Sequence, residues 1–315
     1  MLSWQAWCLN LILRLTLKRH GDRPLDLKRI RANTKNPPRR ALHIPPGIRV
    51  EDIRDGELSF DLVDRSAPRT TPPKTVVLYL HGGGYFFGSP KTHRQALIGM
   101  ARALDAPVYG LDYRLAPEHP FPAAVEDAAS AYRRLLARHP DADIVLAGDS
   151  AGGGLAIVTA CGARDAGLRM PSALIACSPW TDLANTGASL EANAKSCAMF
   201  TPGGVRRGAA LYLGGADPRD PRASPLYADL RGLPPMLLFA SRDEVLLDDT
   251  RRLAERARAA GVTVDVMLRD RLPHVWPIFL HLIPEGREAF HTVAAFAERL
   301  ATRRLRAAPA GNAAG

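Results

Sequence analysis

Ser150 sits at the centre of Gly148-Asp149-Ser150-Ala151-Gly152-Gly153, directly after the apolar run at residues 144–147 and before a helix-like stretch at 155–164. A serine with glycines two residues to either side can occupy a tight strand-to-helix turn, because a Cβ at those places would clash with neighbouring backbone. Such a turn lifts the hydroxyl clear of a sheet edge and aims the next helix N-terminus at it. A second glycine run, His81-Gly82-Gly83-Gly84, closes the apolar segment 75–80 and offers N–H groups that can approach an oxyanion closely. The pair reads as acyl-transfer machinery, with Ser150 attacking and backbone amides stabilising the charge that develops. A bare Gly-x-Ser-x-Gly is a weak signal, equally at home in a chemically idle helix entry. The strand before it, the helix after it and the separate glycine run give the reading its weight.

A serine nucleophile needs a base to take its proton and a carboxylate to orient that base. In a parallel sheet, ligand-facing residues come from loops at the carboxyl ends of strands. Asp243 follows the apolar run 236–240 directly, and His274 follows 262–268 by a short loop. Both therefore project to the same edge as Ser150, in the order serine, acid, histidine. Glu244, beside Asp243, is expected to point elsewhere. Asp248 and Asp249 begin a helical stretch, where capping and dipole compensation are the simpler reading. His281 and His291 lie in or near the last helical stretch, His119 falls between prolines, and His81 orders the glycine loop.

The surrounding pattern alternates strand and helix from about residue 75 to 300, after two short strands at 48–53 and 58–63 joined through Asp55-Gly56. That rhythm predicts an α/β fold with a mostly parallel sheet covered on both faces and opened by an antiparallel hairpin. It breaks at 184–231, which reads as an insertion between strands. Residues 1–47 form an N-terminal arm, 48–302 the main domain, and 303–315 a disordered tail. Hydrophobic content of 46% and charged content of 23% are ordinary for a soluble globular protein. The net charge of +10 comes mostly from arginines spread end to end, without the basic stripe that nucleic acid would require.

Cys8, Cys161, Cys177 and Cys197 lie far apart, without metal-type spacing, and suit a reduced cytoplasmic protein. No histidine pair has zinc-site spacing, so neither metal nor cofactor is implied. Residues 1–17 are apolar at helical spacing but interrupted by Gln5, Asn10 and Arg14, too short and polar to span a bilayer. They lack a basic leader and cleavage site. The segment reads as an amphipathic helix that packs on the protein's own active-site rim or lies on a membrane surface. The sequence leaves room for peripheral membrane contact through residues 1–20 and for a homodimer.

The chain resembles the hormone-sensitive-lipase-like branch of the α/β-hydrolases, the bacterial family IV carboxylesterases. The resemblance rests on His81-Gly-Gly-Gly84, Tyr113-Arg-Leu-Ala-Pro-Glu118 with Phe121-Pro-Ala-Ala124, Gly148-Asp-Ser-Ala-Gly-Gly153, Ser178-Pro-Trp-Thr-Asp-Leu183, Asp243 and His274. It spans roughly residues 50–300. It implies an α/β-hydrolase fold, and an oxyanion hole drawn from the amides of Gly82, Gly83, Gly84 and Ala151. It also implies a cap built from the N-terminal arm and part of 184–231. The family's acid is more often followed by Pro-Leu and its histidine by Gly or Ala and Phe; here Glu244-Val245 and Val275-Trp276 stand instead. The implied activity is hydrolysis of a small carboxylic ester through an acyl-enzyme. Tyr85, Phe86 and Phe87, directly after the glycines, are expected to border the substrate pocket and favour short to medium acyl groups. Amidase, lactonase and long-chain lipase activities stay open. So does a receptor of the same fold, although such a receptor would lack a working histidine, and His274 favours catalysis.

Overall fold

The computed structural model describes residues 2–23, 26–35 and 42–307. Helices α1 (Trp4–Thr16) and α2 (Leu27–Lys35) precede the sheet. Strands β1 (Ile48–Asp55) and β2 (Leu58–Arg65) form the expected hairpin, turning at Gly56 with φ +60°. Then follow β3 (Thr75–Leu80), α3 (Arg94–Leu104), β4 (Val108–Leu111), α4 (Ala123–Arg138), β5 (Asp143–Asp149), α5 (Ala151–Asp165) and β6 (Ala173–Cys177). After the insertion come β7 (Met236–Ser241), α8 (Leu247–Ala259), β8 (Val264–Arg269) and α9 (Pro284–Ala307).

The eight strands lie in the order β1-β2-β4-β3-β5-β6-β7-β8. Both β2 pairings are antiparallel, and every pairing from β4 through β8 is parallel. The strands run parallel there, but the order in which they are laid down reverses between β3 and β5, placing Ser150 in mid-sheet at the carboxyl edge. Strands β3, β4, β5, β6 and β7 are buried almost throughout. Their near-continuous apolar sequence is what a parallel sheet with both faces covered demands. One core layer packs Leu78, Leu146 and Leu238 against α4, α5 and α8; the other packs Val77, Tyr79, Ile175 and Phe239 against α3 and α9.

The 184–231 stretch contains no strand. It carries a single turn α6 (Ser189–Ala192), α7 (Pro202–Leu213) and a 3-10 turn at Pro225–Tyr227. Thr201 caps α7 by accepting a hydrogen bond from the Gly204 amide, with Pro202 in the first turn, and Gly214 closes it in the left-handed region. The last helix runs on through Ala307, so residues 303–307 are helical where a disordered tail was expected; 308–315 lie outside the described residues. Among the described residues no helix is long and apolar enough to cross a membrane.

Candidate active site

Ser150 occupies φ 52°, ψ −121°, a backbone region that a non-glycine residue enters only when its surroundings force it. Here they do. Its N–H donates to the Cys177 carbonyl at 2.8 Å, and its own carbonyl accepts from Trp180 and Gly154. A Cβ on Gly152 would collide with the Leu80 and His81 carbonyls, and one on Gly148 with the Gly152 carbonyl. The two glycines therefore let α5 start directly against β3 and β5.

The hydroxyl of Ser150 lies 2.9 Å from His274 Nε2, and His274 Nδ1 lies 2.9 Å from Glu244 Oε2. All three residues are buried. The acid on the histidine is thus Glu244 and not Asp243. Beyond the end of β7 the chain turns, with the Glu244 amide directed at the Ser241 carbonyl and Asp243 N–H donating to Ser241 Oγ. Successive side chains consequently leave on opposite sides. Asp243 points outward, where its carboxylate accepts the Arg271 N–H, and Glu244 points inward under the imidazole. The longer glutamate reaches a ring that the aspartate faces away from. Ser178 completes the arrangement: its hydroxyl donates to Glu244 Oε2 at 2.8 Å and accepts from Val275 N–H at 3.0 Å. Val275 is held at φ 54°, unusual for a β-branched side chain, and this fixes the exit of the His274 loop.

Neither neighbouring aspartate caps α8 with its side chain, contrary to the capping half of the simpler reading, although both stand in its first turn, where a carboxylate complements the dipole. Asp248 accepts the Ser189 N–H and so ties α6 to α8. Asp249 turns inward and accepts the amides of Thr181 and Asp182 at 2.7 and 2.9 Å. Its burial pushes that carboxyl up to about 8.

The glycine loop also divides. Gly82 cannot serve as an oxyanion donor, because its N–H is already committed to Asp149 Oδ1 at 3.1 Å. Among the described residues, no protein acceptor takes the amides of Gly83 or Gly84. Both glycines have positive φ, +121° and +59°, so side chains there would be strained. Ala151 opens α5, where the first N–H groups have no intrahelical acceptor. Asp149 is the post behind this loop, accepting from Tyr79 as well as Gly82 and lying 3.3 Å from His93 Nε2. Burial alone would lower the His93 pKa, but the Asp149 carboxylate outweighs it and raises that value. His81, buried and beside His93, is pushed down to about 3 and stays neutral while its ring stacks on Tyr113 at 4.2 Å. It orders the loop, as expected.

A narrow cavity of about 50 Å³ opens onto Ser150. Gly84, Phe86 and Phe87 line it, but Tyr85 does not. At φ 68° the Tyr85 ring is thrown back into the core, stacked on Tyr212 at 3.7 Å. Sequence reasoning missed the opposite wall: Trp180, Phe200, Val205, Gly208 and Leu246. Only Trp180, inside the quoted Ser-Pro-Trp segment, carried a signal that could have found it. Phe200 also sets its ring edge-on to His274 at 5.1 Å. Among the described residues, no three His, Cys, Asp or Glu side chains gather as a metal site would require.

Residues 77–278 match the model of a family described as having the alpha/beta hydrolase fold. An acetyl-hydrolase of Streptomyces hygroscopicus is 46% identical over 256 residues, covering 81% of this chain and 83% of that one. An esterase of Acinetobacter venetianus is 35% identical over 257 residues, covering 81% and 84%. Among solved structures, an esterase from the bacterial hormone-sensitive lipase family superposes with a TM-score of 0.86 at 40% identity, over 95% of this chain and 98% of that one.

Proposed function

This chain belongs to the α/β-hydrolase family, in the branch of the bacterial hormone-sensitive-lipase esterases, and from that premise we propose a serine carboxylesterase acting on short to medium acyl esters. The observation that carries the reading is the unbroken hydrogen-bonded chain Ser150–His274–Glu244. His274 Nε2 takes the hydroxyl proton as Ser150 Oγ attacks the ester carbonyl. Glu244 holds the proton on Nδ1, keeping Nε2 free as the base, and stabilises the imidazolium that forms. The amides of Gly83, Gly84 and Ala151 receive the developing oxyanion. Collapse expels the alkoxide, protonated by His274, and leaves an acyl-serine. Water, deprotonated by the same nitrogen, then repeats the sequence and releases the acid.

Substrate size follows from the walls. Phe86, Phe87 and Trp180 close a cavity of about 50 Å³, which suits a short acyl group better than an extended chain. The segment 184–231 acts as a cap, since α7 brings Val205 and Gly208 against the cavity. Cys161, Cys177 and Cys197 are buried as free thiols, in keeping with a reducing, cytoplasmic setting. The test is a series of p-nitrophenyl esters from acetate to laurate on the purified chain, with Ser150→Ala as the control. Turnover should peak at short to medium chains, and the variant should lose on the order of a thousandfold or more while staying folded. A folded Ser150→Ala enzyme that kept a substantial share of activity would remove Ser150 as the nucleophile.

A further inference from the structure

Helix α1 is apolar on two opposite sides. Ala6, Leu9 and Leu13 face inward and are buried in the layer that also holds Leu272 and Trp276. Trp4, Trp7, Leu11 and Leu15, at the same helical spacing, face outward, with Trp4 73% and Trp7 59% exposed. Ile12 and Leu17 are exposed too, so six of the eight large exposed hydrophobic residues among those described fall on this one short segment. A soluble surface rarely gathers such side chains without a use for them. The helix is also firmly held. Ser3 donates to Glu285 through both its N–H and its hydroxyl, Asn10 reaches the Arg271 carbonyl, and Lys18 reaches the carbonyl of Cys197. The outward stripe is a fixed feature, not a frayed end.

Charge decides what it meets. Residues 2–21 contain no Asp or Glu; Arg14 within the stripe and Lys18 past its end donate to the carbonyls of Lys195, Ser196 and Cys197, which leaves the exposed Arg19 as the cation at the C-terminal end of the stripe. Of the acids beside the helix, Glu285 is taken by Ser3 and Asp243 by the Arg271 amide. We propose that the outward face of α1 docks the enzyme on an anionic lipid surface, tryptophans and leucines entering the headgroup boundary and the basic end meeting lipid phosphates. The sequence alone posed rim packing and membrane contact as alternatives; the two faces of α1 can serve both. Lys18, just past α1, donates to the Cys197 carbonyl, and three residues further on Phe200 lines the cavity beside Ser150, so a docked enzyme would hold its pocket close to the lipid phase. Esters of small amphiphiles residing there become its nearest substrates.

Sedimentation of the full chain with vesicles tests this, using phosphatidylcholine alone and phosphatidylcholine mixed with phosphatidylglycerol. Wild type should partition onto the mixed vesicles with a blue shift of tryptophan emission, and raised salt should weaken it. The triple variant Trp4→Ser/Trp7→Ser/Leu11→Ser should bind about tenfold more weakly while hydrolysing a soluble short ester at the wild-type rate. Should that variant fail to fold, Arg19→Glu serves instead, lowering binding to mixed vesicles only. Absence of partitioning by wild type, or equal partitioning of wild type and variants, overturns the proposal. So does a wild-type dimer in light scattering that the triple variant splits, since a second copy would then cover the stripe. None of these readings depends on which residue is the nucleophile.

Discussion

Below the ester position, Ser150, His274 and Glu244 are buried and joined by two 2.9 Å bonds, with Ser178 and a strained Val275 bracing them. Above it, the N-terminal arm is fastened by long side chains reaching backbone carbonyls near the surface. Arg14 bonds Lys195 and Ser196, Arg207 bonds Gly21, and Arg31 bonds Phe86 and Ala116. A buried polar contact is costly to leave unmade, whereas an exposed one is readily replaced by water. The floor should therefore govern whether chemistry happens, and the arm which substrates are held and how tightly.

The sharpest contrast within the floor is between two adjacent acids. Glu244→Gln keeps the shape but loses the charge that fixes the His274 tautomer, so kcat should fall by roughly 10²–10⁴-fold. Asp243→Asn, on a side chain that only accepts the Arg271 amide, should change kcat by no more than a few-fold. Rates and melting temperatures of both variants decide it. A larger loss at Asp243 would return the acid role to that residue.

The post behind the glycine loop gives the next largest effect. His93→Asn leaves the buried Asp149 without its cation, which should cost roughly 3 kcal/mol of stability. The sign with pH follows from the raised His93 pKa. Its contribution is complete below its ordinary 6.5 and is lost as pH rises through the higher folded value. Wild-type melting temperature should thus fall as pH rises above the ordinary histidine value of 6.5, more steeply than that of His93→Asn. Parallel slopes in the two proteins would show that the pair does not titrate in that window.

Ser150 and His274 could be read from sequence because their positions follow from backbone rules. A serine on that turn needs glycines around it, and a loop after a parallel strand can lead only to one edge. Side-chain direction is another matter. Asp243 and Glu244 are neighbours in the chain, and the turn after β7, invisible in the sequence, decides which of them faces in. A glycine run advertises amides without saying which is spoken for, and Asp149 had already taken Gly82. Tyr85 sits among aromatics that do line the cavity, yet its positive φ reverses its ring. Phe200, Val205 and Leu246 reach the cavity from distant segments whose patterns carry no mark of it. The alternating sheet, by contrast, was legible almost strand by strand, since a parallel sheet buried on both faces writes itself as repeated apolar runs.

The smallest effect belongs to the arm, and it tests the division of labour directly. Arg31 pairs with Glu118 and donates to the Phe86 carbonyl at 2.9 Å, on the segment whose side chain walls the cavity. The hydrogen bond from Arg31 holds the Glu118 carboxyl down at about 2, yet that side chain is 57% exposed, so solvent screens most of the pair's worth. About 1 kcal/mol or less is expected from the charge pair itself. Arg31→Ala should accordingly lower the melting temperature by no more than a few degrees. Its kinetic mark should be a KM several-fold higher with kcat within about twofold of wild type, because the cavity wall loosens while the triad stays in register. Michaelis curves on a short ester separate the two parameters. A kcat loss approaching that of Glu244→Gln would show that the arm takes part in the chemistry, and the contrast between floor and roof would collapse.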